Sequence, residues 1–197
     1  MGRVALLASV MLLASLKAAI ADSWPGATVK AVVSENGETV LRVTPGASIG
    51  DTYGFAGAPK GKFATAQWFR LRENRYELYQ TVQLLNPVAP IHIAVANDGT
   101  VITLDNWHNV GFGDVVVIYA PDGKLRKKYR LENLYSAAAI EGIKRSVSSI
   151  WWRCVGLAPH IERNGTVQVD DTLGGRFTFH LANATHTYET GIGNCKP

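Results

Sequence analysis

Two stretches in the middle of the chain decide the fold: AVANDGTVITLD at Ala94–Asp105, and VVVIYAPDGKL at Val115–Leu125. In each stretch a short apolar run leads into an Asp-Gly turn, and a second run follows in the first stretch. Asp and Gly at the centre of a turn can adopt the left-handed conformations that a tight hairpin requires. Apolar runs of this length, bounded by turn residues, predict β-strands. The two stretches therefore predict strands that follow one another in an antiparallel meander.

The same alternation of strand and turn continues along most of the chain. The predicted strands are Thr28–Ser34, Glu38–Thr44, Phe63–Arg72, Tyr76–Leu85, Ile91–Ala96, Val101–Asp105, Val115–Ala120, Lys124–Leu131, Val147–Val155, Thr166–Asp170, Arg176–Ala182 and Thr185–Thr190. One segment, Asn133–Lys144, favours a helix because its three consecutive alanines have high helix propensity. The short spacing between strands argues against parallel βαβ units. We expect an all-β domain of antiparallel meanders with one short helix.

The region from about residue 91 to residue 131 resembles a blade of an NHL-type or TolB-type β-propeller. Such a blade has an apolar strand, an x-Asp-Gly turn, a second strand, and then an apolar strand ending in Asp-Gly-Lys, as at Asp122-Gly123-Lys124 here. The resemblance implies propeller-like partial blades. The Asx-Gly turns at 36, 98, 122 and 164 are unevenly spaced, whereas a closed propeller repeats at a steady period. A two-sheet β-sandwich is therefore the equal alternative.

The first 21 residues are typical of a cleavable secretory signal peptide. Arg3 provides the positive charge, Val4–Leu16 forms the apolar region, and Ala19 and Ala21 place the cut before Asp22. We therefore expect a single domain at residues 22–197, secreted or periplasmic, with no transmembrane segment after cleavage. Cleavage removes Arg3 and Lys17, leaving 18 basic against 16 acidic residues and a net charge of +2. So small a net charge does not favour nucleic acid as a partner.

The two cysteines, Cys154 and Cys195, belong to a chain predicted to enter an oxidising compartment. A single disulfide is the simplest prediction there. It would tie the C-terminal tail to the segment around residue 154. Two free thiols are the alternative.

Two segments without strand patterning are the candidate functional loops. Pro45–Lys62 is rich in glycine, and long irregular loops in compact domains are often functional. The second loop, Asp105–Asp114, is the best binding candidate, because it combines carboxylates, an imidazole and aromatic rings; its candidate binding residues are Asp105, Trp107, His108 and Asp114. An amphipathic Trp beside carboxylates suits a sugar or another polar ligand. The alternative is that Trp107 covers a sheet edge and the polar groups pair with the loop backbone.

A second candidate surface is a row of four alternating cations, Lys124, Arg126, Lys128 and Arg130. Alternate residues of a strand project from one face, so these side chains are expected to form a basic stripe. Such a stripe could dock an anionic polysaccharide, lipid headgroups or a protein partner. The alternative is an edge strand whose charges deter pairing with another chain.

No motif in the sequence predicts a particular chemistry, so the catalytic residues are unknown. Gly46–Gly50 matches the letters of a serine nucleophile elbow, but such an elbow needs a helix directly after the serine, and the following glycines disfavour one. The five histidines lack the spacing of a zinc motif, so we expect no metal and no cofactor. The sequence favours an exported, non-catalytic binding or accessory protein of unknown ligand, for which a polysaccharide and a protein are the candidate partners. The alternative is a small secreted hydrolase in which His108 and a carboxylate of the Asp105–Asp114 loop share acid–base work.

Overall fold

A computed structural model describes residues 24–154, 156 and 158–195. The predicted signal peptide, residues 1–21, lies outside the described residues. The described part of the chain contains eleven strands in three antiparallel sheets and two short α-helices, so the all-β prediction is confirmed.

Each sheet consists of strands that are consecutive in the chain. Sheet 1 contains β1 (Lys30–Val33), β2 (Thr39–Thr44), β3 (Thr65–Arg72) and β4 (Arg75–Gln83). Sheet 2 contains β5 (Pro90–Val95), β6 (Val101–Asn106), β7 (Val116–Tyr119) and β8 (Leu125–Tyr129). Sheet 3 contains β9 (Thr166–Asp170), β10 (Gly175–His180) and β11 (Thr185–Thr190). In every sheet the spatial order follows the chain order.

Sheet 2 is the region that resembles a propeller blade, and it is a four-stranded antiparallel meander. Gly123 turns the chain between β7 and β8 with a positive φ of 77°. A Cβ at this position would collide with the side chain of Val82 on β4. Glycine is therefore required twice over here, by the turn conformation and by the close approach of sheet 1.

Sheet 2 is the middle layer of the molecule. One of its faces packs on sheet 1 through a core that includes Leu41, Trp68, Val117 and Tyr119. Its other face packs on sheet 3 through a core that includes Ile102, Ile118, Phe177 and Phe179. Every residue of β6 and β7 is buried as a result. This double burial explains why β7 is apolar throughout and why β6 begins with apolar residues on both faces, at Val101, Ile102 and Leu104.

The single helix expected at Asn133–Lys144 is wrong in its extent, because two short helices cover this region: α1 (Leu131–Leu134) and α2 (Ala137–Gly142). Tyr135, between them, has an extended backbone and donates its hydroxyl to Asp171 at 3.0 Å. Ser136 then caps α2, its Oγ accepting a hydrogen bond from Ala139 N. The N-cap residue of a helix has an extended backbone, so no helix can continue through Ser136. The run of alanines did not predict this break.

The strand expected at Val147–Val155 is also wrong over its described part. The segment makes only isolated bridges, Arg145 with Ile150 and Arg153 with Asp171. Trp152 and Arg153 are instead both fully buried and bonded to the side chain of Asp105. Val155 itself lies outside the described residues.

The predicted disulfide between Cys154 and Cys195 is confirmed, with a Cα–Cα distance of 5.5 Å. The C-terminal tail is thereby tied to the segment that precedes sheet 3. Within the residues that the structure describes, no helix has the length and apolarity needed to cross a membrane.

Candidate functional site

The two loops that lack strand patterning meet, and Asn109 joins them. Its Oδ1 accepts a hydrogen bond from Tyr53 N at 2.8 Å, and its Nδ2 donates to Tyr53 O at 3.1 Å. The same Nδ2 is 3.3 Å from Ser148 O, in a third irregular segment. One buried amide of the Asp105–Asp114 loop therefore bonds backbone groups of the Pro45–Lys62 loop and reaches a further segment. Buried backbone groups outside regular structure need such partners, which explains why the loops hold together.

Aromatic rings line the outside of this junction. Tyr53 stacks on Phe112 with a centroid distance of 3.9 Å and an interplanar angle of 9°. Phe55 lies 5.7 Å from the ring of His108. Tyr53 is 56% exposed although its ring is already stacked on one side. A planar aromatic surface is thus held in place and open to solvent.

Beside the Tyr53–Phe112 stack is a cleft of about 190 Å³. Its lining residues are Asp51, Thr52, Tyr53, Phe63, Leu85, Pro87, Asn106, Asn109, Phe112, Gly113, Asp114 and Arg130. They come from both candidate loops, from the connection between β4 and β5, and from the end of β8. The cleft is small and combines aromatic walls with charged groups, so a polar ligand in it would meet both an apolar surface and hydrogen-bonding groups.

Each carboxylate of the cleft is paired with a cation. Asp114 lies 3.1 Å from Lys128 Nζ and 3.4 Å from Arg130 Nε. Asp51 lies 2.6 Å from Lys60 Nζ and accepts a hydrogen bond from Ser48 Oγ. Hydrogen bonds from Lys60 and then from Ser48 hold the pKa of Asp51 below its usual value. The cleft therefore offers two carboxylates and an exposed guanidinium, all able to bond hydroxyl groups.

Asp105 occupies a different environment from the one expected for a binding residue. Its side chain is fully buried, with Oδ2 2.6 Å from Arg153 Nε. Its Oδ1 accepts hydrogen bonds from Trp152 Nε1 at 2.8 Å and from Gly111 N at 2.9 Å. Both carboxylate oxygens are occupied by the protein itself. Asp105 is thus a buried anchor for the loop and for the segment around residue 152, and it does not face a ligand.

Gly111 shows how closely these segments are packed. It has a positive φ of 76°, and a Cβ there would collide with the carbonyl of Ile150. Asp105 and His108 also have positive φ, at 56° and 70°. Left-handed conformations are costly for residues other than glycine and occur where surrounding contacts enforce them. The contacts of Asp105 and Asn109 provide that enforcement.

Trp107 and His108 are partly exposed, whereas their neighbours Asp105, Asn106 and Asn109 are buried and hydrogen-bonded. Trp107 Nε1 donates to Pro25 O at 3.1 Å, and Lys30 Nζ lies 5.3 Å from the Trp107 ring centroid. Partial burial lowers the pKa of His108, so its imidazole favours the neutral form. The Trp107 ring is engaged by the N-terminal segment, whereas the Tyr53 ring is not.

The four alternating cations do not form a single stripe. A β-bulge between Ile118 and Tyr119 shifts the register against β8 and interrupts its alternation. Lys124 pairs with Asp122, Arg126 donates to Leu181 O, and Lys128 and Arg130 both pair with Asp114. β8 is nevertheless an edge strand of sheet 2. Arg130 thus lines the cleft, Lys128 contacts its Asp114, and the other two cations contact other parts of the molecule.

His108 and Asp105 are not brought together. His108 contacts Phe55 and the tryptophans, while Asp105 is bonded to Arg153 and Trp152 on the interior side of the loop. Neither residue lines the cleft that contains Asp114. Among the described residues, no three His, Cys, Asp or Glu side chains form a group that could hold a metal ion.

Comparisons with known proteins leave the family open. No known protein family and no curated protein matches the chain. Among solved structures, the crystal structure of HIRA residues 644–1017 is similar at a TM-score of 0.37 with 11% sequence identity. The match covers 84% of this chain and 54% of that chain, so this chain spans about half of its length.

Sequence reasoning missed three residues that shape the cleft: Tyr53, Asp51 and Asn109 were not among its candidates. The first two lie in Pro45–Lys62, which glycine content marked as a possible functional loop without indicating particular residues. An aromatic residue between glycines in such a loop was the available signal for Tyr53. No local signal indicated that Asn109 would bind the backbone of a segment 56 residues away.

Proposed function

We propose that this protein is an exported, non-catalytic binding protein that holds a saccharide in the cleft between the two candidate loops. The observation that carries the proposal is the exposed Tyr53 ring, stacked on Phe112 at the edge of a cleft that also contains Asp114 and Arg130. A sugar presents an apolar face and hydroxyl groups at its edge. A flat aromatic surface beside charged hydrogen-bonding groups matches both features.

The compartment is part of the proposal. A disulfide ties the C-terminal tail of this chain, and such bonds persist in oxidising compartments. Together with the N-terminal sequence, it supports a secreted or periplasmic location. Saccharides of cell surfaces are available to a protein in that location.

The first experiment is a glycan array probed with the purified protein, followed by calorimetric titration of the glycans that are retained. We expect Tyr53→Ala to weaken the binding of a retained glycan about tenfold, the loss expected for a stacked aromatic contact. Asp114→Asn should weaken the same binding while leaving the Tyr53–Phe112 stack in place.

Tyr76→Ala is the matched control, because Tyr76 is also an exposed tyrosine and lies on β4, away from the cleft. It should bind the glycan as the unaltered protein does. The proposal fails if no glycan is retained above background, or if Tyr53→Ala and Asp114→Asn both bind as tightly as the unaltered protein.

A further inference from the structure

The two outer layers of the molecule differ in the face that they turn away from sheet 2. On sheet 3, the outward positions of the three strands are all polar: Thr166, Gln168, Asp170, Arg176, Thr178, His180, Thr185, Thr187 and Glu189. The alternate positions, including Phe177 and Phe179, form the core with sheet 2. Sheet 3 therefore ends the stack with a surface suited to water.

Sheet 1 ends the stack differently, because an apolar row crosses all four of its strands on the outward face. Val33 pairs with Val40, Val40 with Phe69, and Phe69 with Leu78. Val33 is 52% and Leu78 is 50% exposed. In the next row of the same face, Leu71 pairs with Tyr76, and both are exposed. A contiguous apolar patch on a sheet face marks an interaction surface.

The charges on this outward face indicate what covers it. On β2 and just before it, Glu38, Val40 and Arg42 alternate with buried residues, so they share the outward face. One acid and one base thus lie on opposite sides of the apolar row. A partner of a single charge would be repelled by one of them. A second copy rotated by 180° about the row places each Glu38 opposite the other copy's Arg42.

We propose that two copies of this chain form a twofold dimer by stacking sheet 1 on sheet 1 along the row of Val33, Val40, Phe69 and Leu78. The polar outward face of sheet 3 disfavours head-to-tail stacking of sheet 1 on sheet 3, and the contact uses the same face on both copies. A contact of this kind closes with two subunits. Facing sheets pack about 10 Å apart, with strand directions about 30° from alignment, which their twist permits.

Sedimentation of the purified protein tests the dimer, and charge exchange tests its geometry. Glu38→Arg alone and Arg42→Glu alone each create two like-charge contacts across the axis, and each should weaken dimerisation at least about tenfold. The double variant, Glu38→Arg with Arg42→Glu, restores opposite charges and should dimerise again. A mixture of the two single variants should form a heterodimer, because every contact across the axis is then between opposite charges.

Glu189→Arg is the matched control, since it makes the same charge change on the outward face of sheet 3 and should leave the dimer intact. Thermal unfolding of each variant confirms that it is folded. A protein that remains monomeric at about 100 μM, well above a Kd of about 1 μM, overturns the proposal, whether the face stays open or another protein covers it. A dimer that is insensitive to both single reversals also overturns it. Glycan binding by Tyr53 is measured separately and does not depend on this outcome.

Discussion

Asp105 and Asp114 begin and end the same ten-residue loop, yet the fold gives them opposite environments. Asp105 is fully buried and bonded to Arg153, Trp152 and Gly111. Asp114 is at the rim of the cleft, where it meets the exposed cations Lys128 and Arg130. Breaking a buried ion pair leaves an uncompensated charge in the interior, whereas an exposed pair exchanges its partner for water at little cost. One acid therefore maintains the loop, and the other is available to a ligand.

The largest effect in this comparison should come from the buried acid. Asp105→Ala leaves Arg153 charged and without its partner, and we expect it to lower the free energy of unfolding by about 3–5 kcal/mol. Asp114→Ala, the matched control at the rim, should lower it by no more than about 1 kcal/mol. Chemical denaturation of both variants measures the difference. Equal losses of unfolding free energy in the two variants would show that burial does not determine how much Asp105 contributes to stability.

An intermediate effect is expected at Asn109, because this residue is buried like Asp105 and lines the cleft like Asp114. Asn109→Ala removes the side chain that binds Tyr53 N and Tyr53 O, leaving these backbone groups without that partner. We expect a loss of about 1–3 kcal/mol in the free energy of unfolding, together with loss of glycan binding, because Tyr53 is no longer held over the cleft. Denaturation and titration of the same variant measure the two effects. If Asn109→Ala lowers the free energy of unfolding but still binds the glycan, Asn109 does not hold Tyr53 in its binding position.

The smallest effect should be a dependence of the free energy of unfolding on pH. Two histidines contribute to it, His108 in the loop and His186 in sheet 3. Burial lowers the pKa of His108 in the loop and of His186 on β11, which packs on Tyr129 of sheet 2 and Phe179 of sheet 3. The unfolded chain then binds protons more readily than the folded one. The contribution of the two histidines to the free energy of unfolding is complete above their unfolded pKa of about 6.5. It is lost as the pH falls from there through their lower pKa values in the folded protein.

Melting temperatures of the protein measured between pH 7.5 and pH 5 should therefore decrease. His186→Gln and His108→Gln should each reduce the steepness of that decrease. A melting curve of the unaltered protein that does not respond to pH in this interval would contradict the assignment to these two histidines.

The sequence predicted those parts of the molecule that depend on local pattern. Turns such as Asp98-Gly99 and Asp122-Gly123 require particular residues, and β7 and the start of β6 carry apolar residues on both faces, so the blade-like meander of sheet 2 was predictable. The break at Ser136 was not, because Ser136 could equally have lain within a helix. Which of two acids in one loop is buried depended on Arg153, 48 residues later in the chain. Contacts at such separations leave no periodic signal.

The candidate site was predicted only in part, also because it depends on contacts between residues that are distant in the chain. The residue types in Asp105–Asp114 indicated a loop with polar and aromatic chemistry, and the partial exposure of Trp107 agreed with this. The cleft itself requires Tyr53 and Asp51 from another loop, and their position depends on the amide of Asn109. The bulge opposite Tyr119 likewise changed the direction in which the cationic side chains of β8 project. No residue type in that strand predicts a bulge.

The double burial of sheet 2 has a consequence for motion. Amide protons in β6 and β7 have a sheet above and a sheet below, so solvent reaches them only when both outer layers separate. Their hydrogen exchange should proceed through global unfolding, while β4 and β11, at the edges of the outer sheets, open through smaller fluctuations. The rate of exchange should thus fall from both outer sheets towards the centre, and the loop anchored by Asp105, which continues directly from β6, should share the slow regime of the strand that carries it.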